Sequence, residues 1–252
     1  MKVFIVGAGP GDPQLITVKG KQLLEEADVV IYAGSLVNPE LLKYCSRKTR
    51  IYDSSVLTLE EVLTIIKEAA ADGLSIVRLH TGDPSLFGAI QEQIEPLLEY
   101  GIDIEVIPGV SSFLAAAATL KQEFTLPDIS QSLIITRLEG RTPVPEREKL
   151  NALAQHQTSM VIFLSVGLLE EVIKQLSEHY PPDTPVTVVQ KASWPDEKIV
   201  AGTLENIAER TKAENITKTA LILVGNFLNK KYSLSKLYDP GFSHGYRKGT
   251  DE

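Results

Sequence analysis

Ser75-Ile76-Val77-Arg78-Leu79-His80-Thr81-Gly82-Asp83-Pro84 is the stretch on which the reading of this 252-residue chain turns. The apolar run up to Leu79 predicts a buried strand, and Gly82-Asp83-Pro84 closes it with a turn. A strand ending this way presents backbone amides, carbonyls and one carboxylate at the carboxyl edge of a sheet, where α/β proteins hold small ligands. Asp83 also suits the cap of a following helix, with Pro84 in its first turn, so the turn has a structural use beside a binding one. His80 reads either as a packed strand-end imidazole or as an acid or base facing a pocket.

Upstream, Val3 to Val6 predicts a second buried strand, followed at once by Gly7-Ala8-Gly9-Pro10-Gly11-Asp12-Pro13. Thr17 caps a helix through Glu26, and Val29 to Tyr32 is the next strand, so strand, loop, helix and strand form a parallel unit. Thr58 and Glu61 form a capping box for a helix with Leu59, Val62, Leu63 and Ile66 on one face, ended by Gly73. Downstream, a helix is predicted over Phe87 to Tyr100, a strand over Asp103 to Ile107, and an alanine-rich helix from Pro108-Gly109-Val110-Ser111-Ser112 to near Leu120. The periodicity fails between Thr119 and Gln131, which places domains at 1–120 and 131–252. The second domain is predicted to hold strands at Leu133–Thr136, Met160–Leu164, Val186–Gln190, Lys198–Ala201 and Thr219–Val224. Its predicted helices run from about Glu146, over Leu168–Glu178 and over Glu205–Lys212. The tail after Asn226 shows no core face. The expected class is α/β, with two domains of similar size.

The chain carries 25 Lys and Arg against 33 Asp and Glu, a net charge of −8, which argues against a general nucleic-acid surface but leaves room for a local basic pocket. Cys45 is the only cysteine; it can form neither an intrachain disulfide nor a cysteine-rich metal site, and it suits a reducing cytoplasm. The opening run Met1 to Val6 is too short for a signal sequence and no run approaches a membrane span, so a soluble cytoplasmic protein is expected. No cluster of His, Cys, Asp and Glu has metal-ligand spacing and no Ser or Cys stands beside a His, so hydrolysis is unsupported and no metal is expected.

The first glycine loop departs from a dinucleotide fingerprint. Asp12 stands where the third glycine belongs, and Tyr32-Ala33-Gly34 ends the second strand without an acidic residue for a ribose. Arg137, Arg141 and Arg147 lie in one proline-stiffened loop after the second domain's first strand; their planar forks suit carboxylates, and a solvated loop with Arg147 paired to Glu146 or Glu148 is the alternative. Trp194 reads as structural.

Taken in order, Val6-Gly7-Ala8-Gly9-Pro10-Gly11-Asp12, Ala27-Asp28-Val29-Val30-Ile31-Tyr32, His80-Thr81-Gly82-Asp83-Pro84 and Pro108-Gly109-Val110-Ser111-Ser112 resemble the tetrapyrrole methylases, a family of S-adenosylmethionine enzymes. The resemblance covers nearly the whole chain. Tyr32-Ala33-Gly34-Ser35-Leu36-Val37, Thr136 to Pro145 and Ser235-Lys236-Leu237-Tyr238-Asp239 further resemble the branch that methylates C-11 of precorrin-4 in cobalamin synthesis. The resemblance implies two α/β domains with a ligand cleft between them, S-adenosyl-L-methionine as cofactor, a small-molecule tetrapyrrole substrate and a homodimer, without nucleic-acid or membrane partners. Carried over residue by residue, Pro10, Thr81, Gly82, Asp83, Ser111 and Ser112 would line the cofactor, and Leu164 and Ala192 would meet its adenosine. Thr81 stands where the family often has Gly, and Leu164 where it often has Met, so at these two positions the chain departs from the family's usual residues.

Methyl transfer from a sulfonium to an electron-rich carbon releases a neutral thioether, so positioning can supply much of the acceleration without a metal or covalent nucleophile. A substrate rich in acetate and propionate groups needs cationic anchors, for which Arg137, Arg141 and Lys191 are the candidates. Asp83, His80 and Glu139 are the candidates for catalysis, by charge stabilisation or proton removal. Other members, such as a uroporphyrinogen III methyltransferase or diphthine synthase, and a non-catalytic tetrapyrrole or nucleotide sensor are the competing readings.

Overall fold

Five strands form the first sheet: β1 (Lys2–Gly7), β2 (Val29–Tyr32), β3 (Arg50–Asp53), β4 (Ile76–His80) and β5 (Asp103–Ile107). The computed structural model describes residues 2–229 and 232–250. Contacts group them into two units, one holding the residues up to Ala116 with Lys191–Glu197, the other Ala117–Gln190 with the residues from Lys198 on.

The first sheet has the order β3-β2-β4-β1-β5 and every pairing is parallel. All five residues of the central β4 are buried, as expected of a strand covered on both faces. Helix α1 (Val18–Glu26) places Leu24 on one face of the sheet, with Val6, Val30, Val77 and Leu79. Helices α2 (Leu59–Ala71) and α3 (Gln91–Glu99) place Val62, Ile66 and Leu97 on the other, with Val3, Val29, Ile31 and Ile76. The predicted capping box starts α2: Glu61 accepts from the Thr58 amide at 2.7 Å and Thr58 Oγ1 from the Glu61 amide at 3.3 Å.

Differences from the sequence reading have local causes. The sequence reading lacks the short edge strand β3, because Arg50-Ile51-Tyr52-Asp53 has only two apolar residues between charged ends, too short a run to show a strand period. Helix α3 begins at Gln91 rather than Phe87, since Phe87 and Ala89 hold left-handed backbone, with φ of 54° and 49°. Helix α4 (Ser112–Leu120) follows β5 as expected.

The second sheet consists of β6 (Leu133–Arg137), β7 (Ser159–Phe163), β8 (Pro185–Gln190), β9 (Lys198–Thr203) and β10 (Ala220–Val224), ordered β6-β7-β10-β8-β9. Only β6 and β7 pair in parallel. Helices α5 (Leu150–Ala154), α6 (Leu169–Leu176) and α7 (Ile207–Ala213) supply Leu150, Val172, Leu176 and Ile207 to its core. At Glu146 the chain makes a 3-10 turn, and the helix proper waits until Leu150. Phe227 corrects the expectation of a tail without a core face: it is fully buried, its ring 4.9 Å from that of Phe124. Among the described residues, no helix is long and apolar enough to cross a membrane.

Candidate active site

The strand order puts β1 beside β4, and the chain leaves their carboxyl ends in opposite directions, toward β2 across β4 and toward β5 across β1. Such a switch point opens a crevice at the sheet edge. Here the loops are locked together. The Ala8 amide donates to the His80 carbonyl at 2.7 Å, and Gly9 and Gly82 exchange backbone hydrogen bonds at 3.2 and 2.9 Å. A Cβ on Gly7 would lie 2.6 Å from Gly109 Cα and 2.7 Å from the Gly82 carbonyl, so three chain segments meet at a spacing that only glycine permits.

Asp83 fastens this lock. Its Oδ2 accepts from the Gly109 amide at 2.9 Å, while Oδ1 accepts from the Ser85 amide at 2.9 Å and from Ser85 Oγ. Burial raises the Asp83 carboxyl, but the hydrogen bonds from Ser85 and Gly109 outweigh it and hold the group below the ordinary carboxylate value. Thr81 Oγ1 donates to the Leu36 carbonyl at 2.9 Å, tying the turn to the loop after β2. Gly82, at φ 59°, faces Ser111: a Cβ there would stand 3.7 Å from Ser111 Cα and 3.9 Å from the Ser112 amide nitrogen. Thr81, Gly82, Asp83, Ser111 and Ser112 are therefore neighbours, and Pro10 lies on the loop paired to them through Gly9. Ser111 is buried and its carbonyl accepts from the Leu114 amide at the start of α4.

His80 is 5% exposed, and its Nε2 meets no partner among the described residues. Arg78, two residues before it on the same face of β4, is 6% exposed and spends its donors on Gln93 Oε1 at 3.0 Å and the Ile31 carbonyl at 3.1 Å. Burial, with the Arg78 charge adding to it, pushes the His80 imidazole down to about 3. It is neutral at physiological pH and lies within the sheet packing.

The segment Lys191–Glu197 adds Ala192, Lys191 and Trp194 to this unit. Ala192 is buried. Lys191 pairs with Asp196, and its ammonium stands 5.7 Å from the Trp194 ring. Trp194 Nε1 donates to the Pro10 carbonyl at 3.0 Å. The sequence signal for that contact is absent, since the partners are 184 residues apart.

The remaining candidates belong to the second unit. Leu164 follows β7 in left-handed backbone, φ 56°, with its residue 73% exposed, which non-glycine residues adopt only where the surroundings impose it. Arg137 turns inward on its own loop: Nη1 donates to the Leu138 and Thr142 carbonyls at 3.3 and 3.1 Å, and Nη2 to the Pro143 carbonyl at 2.7 Å. Arg141 is exposed. Glu139 lines a depression of about 240 Å³ with Lys149, Lys174 and Glu178. Among the described residues, no group of His, Cys, Asp and Glu is placed to hold a metal ion.

A doubly wound parallel sheet with its loops gathered at a switch point, joined in one chain to a mixed α/β unit, defines a small-molecule-binding α/β protein. The model of the Tetrapyrrole (Corrin/Porphyrin) Methylases matches residues 2–208, and the chain belongs to that family. The cobalt-precorrin-4 C(11)-methyltransferase of Methanocaldococcus jannaschii is 60% identical over 249 residues, which cover 98% of this chain and 96% of that protein. The solved structure of the cobalamin biosynthetic enzyme cobalt precorrin-4 methyltransferase matches with a TM-score of 0.89 at 47% identity, over 90% of this chain and 96% of its own. Uroporphyrin-III C-methyl transferase from Thermus thermophilus, complexed with S-adenyl homocysteine, matches with a TM-score of 0.76 at 30% identity, over 91% of this chain and 94% of its own.

Proposed function

We infer that the chain is an S-adenosylmethionine-dependent C-methyltransferase acting at C-11 of precorrin-4 or its cobalt complex in cobalamin biosynthesis. The observation that carries this reading is the interlock of Gly7, Gly82 and Gly109. It gathers Thr81–Asp83 and Ser111–Ser112, with the Pro10 loop, at one sheet edge of a chain that matches its cobalt-precorrin-4 relative over nearly full length. The space beside Gly82 that a side chain would fill fits a ligand approaching the backbone closely.

The bound cofactor supplies an electrophilic methyl group whose leaving group is a neutral thioether. The protein's share is to hold donor and acceptor in line and to exclude competing groups. Pro10, Thr81, Gly82, Ser111, Ser112, Leu164 and Ala192 are assigned to the cofactor, and Arg141, the exposed guanidinium, to the substrate carboxylates. Arg137 and Lys191 bind the substrate less directly, since a loop and Asp196 already occupy them. Asp83 acts by holding the turn, its carboxylate being engaged by Gly109 and Ser85. Buried, neutral His80 supports the turn from below, which leaves exposed Glu139 as the acid–base candidate. The family resemblance extends the reading to a homodimer in the cytoplasm; sedimentation of the purified protein checks the dimer, and fractionation of the source cells checks the compartment.

Incubation with methyl-labelled S-adenosylmethionine and either precorrin-4 or cobalt-precorrin-4 tests the reading. Label should enter the macrocycle at C-11. Transfer to neither substrate, with S-adenosylhomocysteine still binding, would turn the assignment toward a sensor.

A further inference from the structure

Lys191–Glu197 joins β8 to β9, yet it packs with the first unit, against Pro10-Gly11-Asp12. Trp194 Nε1 donates to the Pro10 carbonyl and Ser193 Oγ accepts from the Asp12 amide, each at 3.0 Å. Buried Asn38 donates through Nδ2 to the Gly11 carbonyl at 2.8 Å. Three consecutive residues of the glycine loop are thus held by three side chains from elsewhere in the chain. The indole also fills the place of a Gly11 side chain, because a Cβ there would come 2.8 Å from Trp194 Cγ and nearer still to other ring atoms.

The holding segment is itself fixed. The Ser193 amide donates to Glu197 Oε2 at 2.7 Å, the Trp194 amide to the Lys191 carbonyl at 2.9 Å, and Lys191 pairs with Asp196. Lys191 and Ser193 keep left-handed backbone, at φ 51° and 68°. Such conformations are costly for residues with a Cβ and persist where the surroundings over-determine them. This segment carries Ala192 between those two residues, so one short stretch both presents a residue assigned to the cofactor and clamps a loop assigned to it.

We propose that Trp194, assisted by Ser193, is a positioning residue for the cofactor: its indole N–H and ring hold Pro10-Gly11-Asp12 in the conformation that receives S-adenosylmethionine. This rests on the assignment of that loop to the cofactor. Occupancy of the loop is then transmitted to Trp194, the only tryptophan of the chain, whose emission reports it.

The test uses the full-length protein and S-adenosylhomocysteine as probe. Wild-type emission should shift on titration, in step with the binding heat. Trp194→Phe keeps a ring over Gly11 and removes the donor; it should weaken the probe about fivefold by calorimetry, the scale of one lost hydrogen bond. The KM for S-adenosylmethionine should rise by a larger factor than kcat falls. Ser193→Ala should act in the same direction by about threefold. If the wild type does not bind the probe, the cofactor assignment and the positioning role fall together. If it binds without a change in emission, or if both variants bind with wild-type affinity, the positioning role alone is overturned.

Discussion

The carboxyl edge of the parallel sheet and the Arg137–Pro145 loop of the second unit solve the problem of presenting polar groups in opposite ways. At the sheet edge, backbone meets backbone, and nearly every polar group already has an internal partner: Asp83 with Gly109 and Ser85, Thr81 with Leu36, Pro10 with Trp194. In the loop, one arginine is spent on folding the segment so that other charged side chains can remain exposed. Shape is prebuilt in the first region. In the second, charge is held ready on a surface, where water and ligand compete for it. A rigid, invariant ligand moiety suits the first arrangement, and a substrate rich in carboxylates suits the second.

If this contrast is right, changes at the sheet edge should cost stability and cofactor together, and changes on the loop should cost substrate with little stability. Gly7→Ala should have the largest effect, destabilising the protein by about 3–4 kcal/mol in denaturant unfolding because the new methyl meets backbone that cannot yield. Wild-type stability for that variant would show the interlock to be looser than its spacing. Asp83→Ala should follow at about 2–3 kcal/mol, the worth of lost hydrogen bonds to a charged group, with weaker S-adenosylhomocysteine binding seen by calorimetry. Retained affinity would mean that the turn holds without its carboxylate.

His80 supplies a pH test. Its folded pKa, about 3, lies below the 6.5 of the unfolded residue, so the unfolded state takes up the proton first. The stability tied to neutral His80 is complete above pH 6.5 and is lost as pH falls toward 3, at up to about 1.4 kcal/mol per pH unit. Unfolding free energies from pH 7 down to 5 should therefore slope less steeply in His80→Leu than in wild type. Parallel slopes would place the imidazole in contact with water. The smallest effects on folding belong to the loop: about 1 kcal/mol for Arg137→Ala and under about 0.5 kcal/mol for Arg141→Ala. Arg141→Ala should nonetheless raise the tetrapyrrole KM about tenfold while leaving cofactor affinity in place. A reversed ranking of the two arginines in substrate KM would exchange their roles.

The parallel unit was legible because its signals are local. Buried strands of Val, Ile and Leu that end in glycine-containing turns, and helices α1 and α2 capped by Thr17 and Thr58, declare themselves within about ten residues. Thr58 and Glu61 set the start of α2 for the same reason. Edge strand β3, four residues with charged ends, carries no such signal, and the start of α3 was obscured because Phe87 and Ala89 look helical but adopt positive φ. At the site, the residue types were visible and their employment was not. Arg137 offered a free cation until its carbonyl partners were seen, and His80 offered a base until its burial was.

The order of short-range elements, the family and the positions gathered at the end of β4 follow from the sequence alone, since hydrophobic period, caps and turn residues act over a few bonds. Which side chains remain free to meet a ligand was decided only in three dimensions. Gly109 reaching Asp83, Ile31 taking the Arg78 guanidinium and Trp194 settling on Gly11 are contacts between distant segments, and desolvation, which sets the charge of His80, depends on everything packed around it.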